Sequence, residues 1–171
     1  VIKKYKMHFL LDFHYSDYWA DPGQQNKPDA WKNLSFDELK EAVHKYTYDV
    51  LYRLKIMDCA PDMVQIGNEI RSGMLFPDGA VPQYRQLAAL VNEGIRAVRE
   101  LLPETKVMIH LDQGGRYNCI MPWLDSMFNA GMLPIDAIGL SFYSFWHGTF
   151  MDLKDTMSRL IKLYNLPVYI V

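Results

Sequence analysis

Glu69 closes the run Asp62-Met63-Val64-Gln65-Ile66-Gly67-Asn68-Glu69, a short β-type stretch that brings an Asn-Glu pair to its C-terminal end. A carboxyl group delivered at the end of a parallel strand is placed to give or take a proton, the general acid/base role. Similar polar groups recur in three other stretches. Because side chains alternate faces along a strand, Asp12 and His14 share a face with His8, and Gln65 and Gly67 share one with Glu69. His110 lies likewise with Asp112, and Gly139 and Ser141 with Tyr143. Four otherwise apolar stretches, each turning polar groups to one side near its C-terminal end, are what the mouth of a barrel requires.

The elements that position these residues alternate along the chain. Strands are expected over residues 7–14, 63–69, 106–112 and 135–143, with a fifth opening at Val168. Between them run helical patterns. The first opens on the capping box Ser35-Phe36-Asp37-Glu38 and carries Leu39, Val43, Tyr46, Val50 and Leu54. The second carries Leu87, Val91, Ile95, Val98 and Leu102 and is closed by Pro103. A third spans 122–130, with Pro near its first turn and Gly131 at its end, and a fourth runs from about Thr149 to Tyr164. Five strands alternating with four helices mean βαβ units and a parallel sheet. Neither the glycine fingerprint of a doubly wound nucleotide-binding sheet nor a P-loop is present, so the polar strand ends favour a (β/α)8 barrel. A whole barrel takes about 250 residues, so 171 residues read as a single incomplete (β/α)8 domain.

Composition narrows the function classes. The chain has 18 Lys and Arg against 20 Asp and Glu, a net charge of −2, and no basic cluster longer than Lys3-Lys4. That balance provides no electrostatic footprint for nucleic acid or anionic lipid. No apolar run approaches the ~20 residues of a membrane helix. Cys59 and Cys119 fit neither a disulfide framework nor a metal knuckle, and both are expected to be buried thiols.

Several segments together resemble one family. Leu11-Asp12-Phe13-His14-Tyr15-Ser16-Asp17, Trp19-Ala20-Asp21-Pro22-Gly23, Val64-Gln65-Ile66-Gly67-Asn68-Glu69-Ile70, Gly73-Met74-Leu75-Phe76-Pro77-Asp78-Gly79 and Phe145-Trp146-His147-Gly148-Thr149 are similar, in order, to glycoside hydrolase family 53, the endo-β-1,4-galactanases. The resemblance implies a retaining (β/α)8 barrel whose strands 3 to 7 lie in this chain, with strands 1, 2 and 8 outside it. It implies Glu69 as acid/base, a nucleophilic Glu just beyond Val171, and Asn68 bonded to the sugar 2-hydroxyl. His110-Leu111-Asp112-Gln113-Gly114-Gly115-Arg116 follows the family only loosely.

Further expectations attach to that resemblance. Asp12, His14, Asp17, Asp21, His110, Asp112, Tyr143 and His147 are expected to bind substrate, and Trp19, Trp31 and Trp146 to offer flat faces to pyranose rings. Trp123 is expected in the core. The long 16–33 loop, with its two Pro-containing turns, suggests a substrate wall. The substrate would be β-1,4-galactan, a pectin side chain, met outside the cell, in the periplasm or at the cell surface. No cofactor is implied, and the calcium that some members bind would lie after strand 7. Two alternatives stand beside this reading: a carbohydrate-binding fragment or pseudoenzyme, and a related retaining β-glycanase of the mannanase or cellulase type.

Overall fold

Five parallel strands form one sheet, as the alternating pattern requires. In the computed structural model, which describes residues 2–171, these are β1 (Leu10–Phe13), β2 (Met63–Ile66), β5 (Lys106–Leu111), β6 (Ala137–Leu140) and β7 (Val168–Ile170). They lie side by side in chain order, β1-β2-β5-β6-β7. A two-stranded antiparallel ribbon, β3 (Gly73–Met74) with β4 (Gly79–Ala80), interrupts the connection after β2. The connecting helices are α1 (Phe36–Ile56), α2 (Tyr84–Leu101), α3 (Tyr117–Asn129), α4 (Ser144–His147) and α5 (Phe150–Tyr164).

The register decides which residues face inward. Asp12 is level with Gln65, Gln65 with Met108, and His110 with Gly139, so their side chains form the concave face. Their neighbours Phe13, Val64, Ile66, Val107, Ile109, Leu111, Ile138 and Leu140 point the other way and build the core against the helices. Burying such faces, at about 25 cal/mol per Å² of apolar surface removed from water, is the main favourable term for a layered sheet. α2 is the most deeply set helix. Its buried residues run from Leu87 to Leu101, and the Asn92 amide spans to Gly131 O and Leu133 N.

Several elements differ from the sequence pattern for identifiable reasons. The strands are shorter than expected: β1 begins only at Leu10 and β6 at Ala137. His8 therefore falls outside β1; it sits exposed at the opposite end of the sheet beside Asp62. Helix α3 begins five residues before Pro122, which lies inside it at the cost of one backbone bond. The buried stripe of α1 is Leu39, Val43, Thr47 and Leu51, not the Tyr46 and Leu54 row. Thr47 tolerates that place because its hydroxyl donates to Val43 O and also meets the Tyr15 hydroxyl. Cys59 is half-buried and Cys119 exposed on the first turn of α3, which corrects the expectation of two buried thiols. Trp123 is in the core as expected.

The edges of the sheet are β1 and β7, and the inward side chains Leu10 and Tyr169 and the terminal Val171 remain substantially exposed. Together with Met63, Lys106 and Met108 they line a concavity of about 710 Å³ at the end of the sheet away from Glu69. Open strand edges and an uncovered apolar face favour association. The 171-residue polypeptide produced alone is expected to elute as oligomer or aggregate in size-exclusion chromatography with light scattering. A monodisperse, cooperatively melting monomer would contradict this.

Candidate active site

Glu69 stands three residues past the end of β2, in the left-handed region at φ 50° and ψ 46°. An L-residue adopts this conformation at some cost, and it persists where neighbouring contacts over-determine it. Here Gly67 precedes it at φ 82°, where a Cβ would run into Ile70. The resulting turn sends the Glu69 side chain across the end of β5 toward β6. There its Oε1 is hydrogen-bonded to the hydroxyl of Ser141, immediately beyond β6.

The imidazole of His110, from β5, occupies the space beneath. Its Nε2 is 2.8 Å from Ser141 Oγ and its Nδ1 is 2.8 Å from Asn68 Oδ1. Gln65 Nε2, at 3.1 Å, and the Glu69 amide, at 3.4 Å, also approach Nδ1. The ring is only 4% exposed, and burial holds its pKa down to about 4. Asn68 is fixed in turn: its Nδ2 donates to Ala20 O at 2.7 Å, and its own carbonyl accepts from Gln25 Nε2 at 2.8 Å.

The loop after β1 completes the wall. The Ala20 N–H donates to His14 Nδ1 at 3.0 Å, which turns His14 Nε2 toward Asp12 Oδ2 at 2.9 Å. Burial raises the pKa of Asp12 despite the opposing effects of His14 and Gln65. Asp112 is 4% exposed and held bidentately by Arg71, at 2.7 and 3.1 Å. Fork-to-carboxylate pairing of this kind fixes both groups.

The structure thus gathers Glu69, Asn68, His110, Asp12 and His14 about one mouth, with Asp112 engaged by Arg71. Trp19 is 72% exposed and meets His14 edge-on at 4.8 Å. Trp146, 66% exposed, stands against Tyr143 on α4, where both rings are available to a planar ligand face. The remaining expected residues have structural engagements. Asp17 accepts from the Asp29 amide, and Asp21 accepts from the Gly23 amide in a tight turn. Trp31 is half-buried edge-on to Tyr46. Buried His147 lies 3.0 Å from Ser141 O and packs beside Tyr143. The β6 end reaches Glu69 through Ser141 and not through Tyr143. Ala20, Gln25, Gln65, Arg71 and Ser141 all take part beyond the expected set. Of these, Ser141 and Gln65 were signalled by their period-two position, whereas Arg71 and Gln25 carry no sequence pattern of their own.

Five parallel strands with helices on their outer side and a carboxyl-centred polar mouth at their C-terminal ends define part of a (β/α)8 hydrolase barrel. Comparison with known proteins assigns the family: the model of glycosyl hydrolase family 53 matches residues 2–171, and the chain belongs to it. It is 34% identical over 168 residues to an arabinogalactan endo-beta-1,4-galactanase of Thermothelomyces thermophilus, covering 94% of this chain and 50% of that protein. It is 47% identical over 178 residues to a Niallia circulans protein named for its place in the bgaB 5' region, covering 99% of this chain and 48% of that one. The GH53 catalytic domain of Ignisphaera aggregans superposes with TM-score 0.93 at 42% identity, over 97% of this chain and 46% of that domain. The chain thus spans about half the length of these relatives.

The His110 environment has a consequence for stability. Unfolded, the ring would titrate near 6.5; folded, near 4, so between those values the unfolded state binds more protons. Stability contributed by neutral His110 is present above about pH 6.5 and lost as pH falls toward 4, by up to about 3 kcal/mol. Asp12, raised by burial, acts with the opposite sign, favouring low pH. Urea unfolding of the protein and its His110→Gln variant is expected to show a steeper loss from pH 6.5 to 4 in the unaltered protein. Parallel curves would contradict this.

Proposed function

We propose that the protein carrying these residues hydrolyses internal β-1,4-galactosidic bonds of galactan with retention, Glu69 being the proton donor and then the base. What carries the reading is the carboxyl of Glu69, held at the mouth by Ser141 and the buried His110, in a chain belonging to this glycosidase family. Retaining hydrolysis needs a second carboxyl about 5 to 5.5 Å from the first to attack the anomeric carbon. Asp112 is engaged by Arg71 and Asp12 by His14, so neither is free for this. The proposed nucleophile is a Glu in the segment following Val171, at the end of β7.

In the first step Glu69 gives its proton to the leaving oxygen while the nucleophile bonds to the anomeric carbon. In the second, Glu69 takes a proton from water, whose oxygen releases the sugar. Asn68, Asp12 and His14 would contact the sugar at the cleavage point, and Trp19, Tyr143 and Trp146 would flank its neighbours. No cofactor enters this chemistry, and any calcium site lies outside these residues. The polymeric substrate implies action outside the cell or at its surface; among the described residues no helix is long and apolar enough to cross a membrane.

In the enzyme at full family length, Glu69→Gln is expected to lower galactan hydrolysis by about 10² to 10⁴. Formation of the glycosyl-enzyme from an aryl β-galactoside with a good leaving group should survive, because that step needs no acid. Near-normal galactan hydrolysis by the variant would assign the acid elsewhere. Hydrolysis of mannan or cellulose in preference to galactan would favour the related-glycanase reading, and galactan binding without turnover by the unaltered protein would favour a binding module.

A further inference from the structure

Glu69 opens a turn whose next three residues are each tied to a different part of the molecule. Its backbone, at φ 50° and ψ 46°, leads into the 3-10 turn Ile70–Ser72. Ile70 is fully buried in the core. Arg71 reaches the end of β5, where its Nε donates to Asp112 Oδ1 at 2.7 Å and its Nη2 to Asp112 Oδ2 at 3.1 Å. Ser72 Oγ donates to Pro22 O at 2.6 Å in the loop after β1, and Ser72 O accepts from the Val81 amide at 2.9 Å.

These ties differ in what they can fix. The burial of Ile70 is favourable but non-directional, so it tolerates small shifts. The Ser72 hydroxyl makes a single bond about which it can rotate. The two parallel bonds of a guanidinium fork to a carboxylate allow neither sliding nor rotation. The carboxylate end of this fork is itself held: Asp112 is buried, directly follows β5, and accepts a further bond from Gln113 Nε2 at 3.3 Å. Arg71 therefore carries the position of the β5 end into the turn. Glu69 has to cross that same end to meet Ser141 beyond β6.

We propose that Arg71, clamped by Asp112, is a positioning residue for the acid/base step: it holds the left-handed turn that aims the Glu69 carboxyl across β5. Asp112 serves Arg71 and not the sugar. The inference rests on Glu69 being the acid/base, as above.

A proton donor acts only within hydrogen-bond reach of the oxygen it protonates. Without the clamp, the turn is free to relax toward the backbone conformations that an L-residue prefers. The carboxyl then swings off line, although no group that would touch the sugar has been removed. The loss falls on the two steps that use Glu69, protonation of the leaving oxygen and deprotonation of the attacking water. It spares attack by the nucleophile on a substrate whose leaving group needs no proton. Lys at this position would keep the charge but lack the fork.

Other roles for the pair would leave different marks. A sugar contact made by Asp112 would raise KM on every substrate when it was lost. A pair that served folding alone would lower activity on every substrate in the same proportion.

The ratio of two kcat/KM values, measured on one preparation of the enzyme at full family length, separates these cases, because it does not depend on how much of a variant is folded. The substrates are galactan and a 2,4-dinitrophenyl β-1,4-galactobioside, whose leaving group departs without acid. In Arg71→Gln, kcat/KM on galactan is expected to fall about 10- to 100-fold, as for a reacting group displaced by about 1 Å, while the dinitrophenyl value changes little. Asp112→Asn should act in the same direction, and the double variant should be no worse than the poorer single one, since both remove one clamp. Arg71→Lys should lie between Arg71→Gln and the unaltered enzyme, and it carries the same test if the other variants do not fold. Equal losses on both substrates, an unchanged ratio, or a loss confined to KM overturns the proposal. Failure of the acid assignment shows separately, as undiminished galactan hydrolysis by Glu69→Gln with the clamp intact.

Discussion

A neutral imidazole buried among three strand ends is the constraint around which this mouth is organised. A ring taken out of water must have both nitrogens satisfied, because low surrounding polarity makes an unpaired one expensive. His110 meets that demand with Asn68 at one nitrogen and Ser141 at the other. Meeting it draws the ends of β2, β5 and β6 to fixed distances. The left-handed turn at Glu69, which costs conformational energy by itself, is held by the same contacts.

The apolar side of the sheet provides the platform. Outward residues such as Val64, Ile66, Ile109 and Ile138 are fully buried against helices, which leaves the concave side free to carry polar groups. Burial and chemistry are thus divided between the two faces of the same strands. Alternation along an extended chain makes that division possible, and parallel register stacks the polar positions of neighbouring strands at one level. Asp12, Gln65 and Met108 share such a level, with His110 and Gly139 on the next along that face.

Much of this was legible because it depends on local periodicity. The order of strands and helices, the polar faces, the Ser35 cap and the placing of Glu69 at a strand end all follow from spacing and propensity. What escaped depends on contacts between distant segments. Thr47 looks like a break in the apolar stripe of α1 until Tyr15 supplies its partner. Ser141, two residues before Tyr143 on the same face, is the group of this stretch that meets Glu69, a contact that only the fold reveals. Arg71 carries no motif, and only the fold brings Asp112 to it. Asp17 and Asp21, read as ligand-facing, each also accept a backbone amide of their own loop through one carboxylate oxygen.

That loop after β1 is tied to the rest of the mouth at many points. Pro22 O accepts from Ser72, Gln25 O accepts from the Phe76 amide, Lys27 pairs with Asp78, and Ala20 contacts both His14 and Asn68. It is a brace for the polar groups of the mouth. On the proposed function, selectivity and turnover would not be separable modules in this architecture. Lengthening or exchanging the wall to admit a differently branched polymer would displace the backbone carbonyl on which the amide of Asn68 is seated, so evolutionary change of preference here has to keep Ala20 in register while remodelling the residues around it.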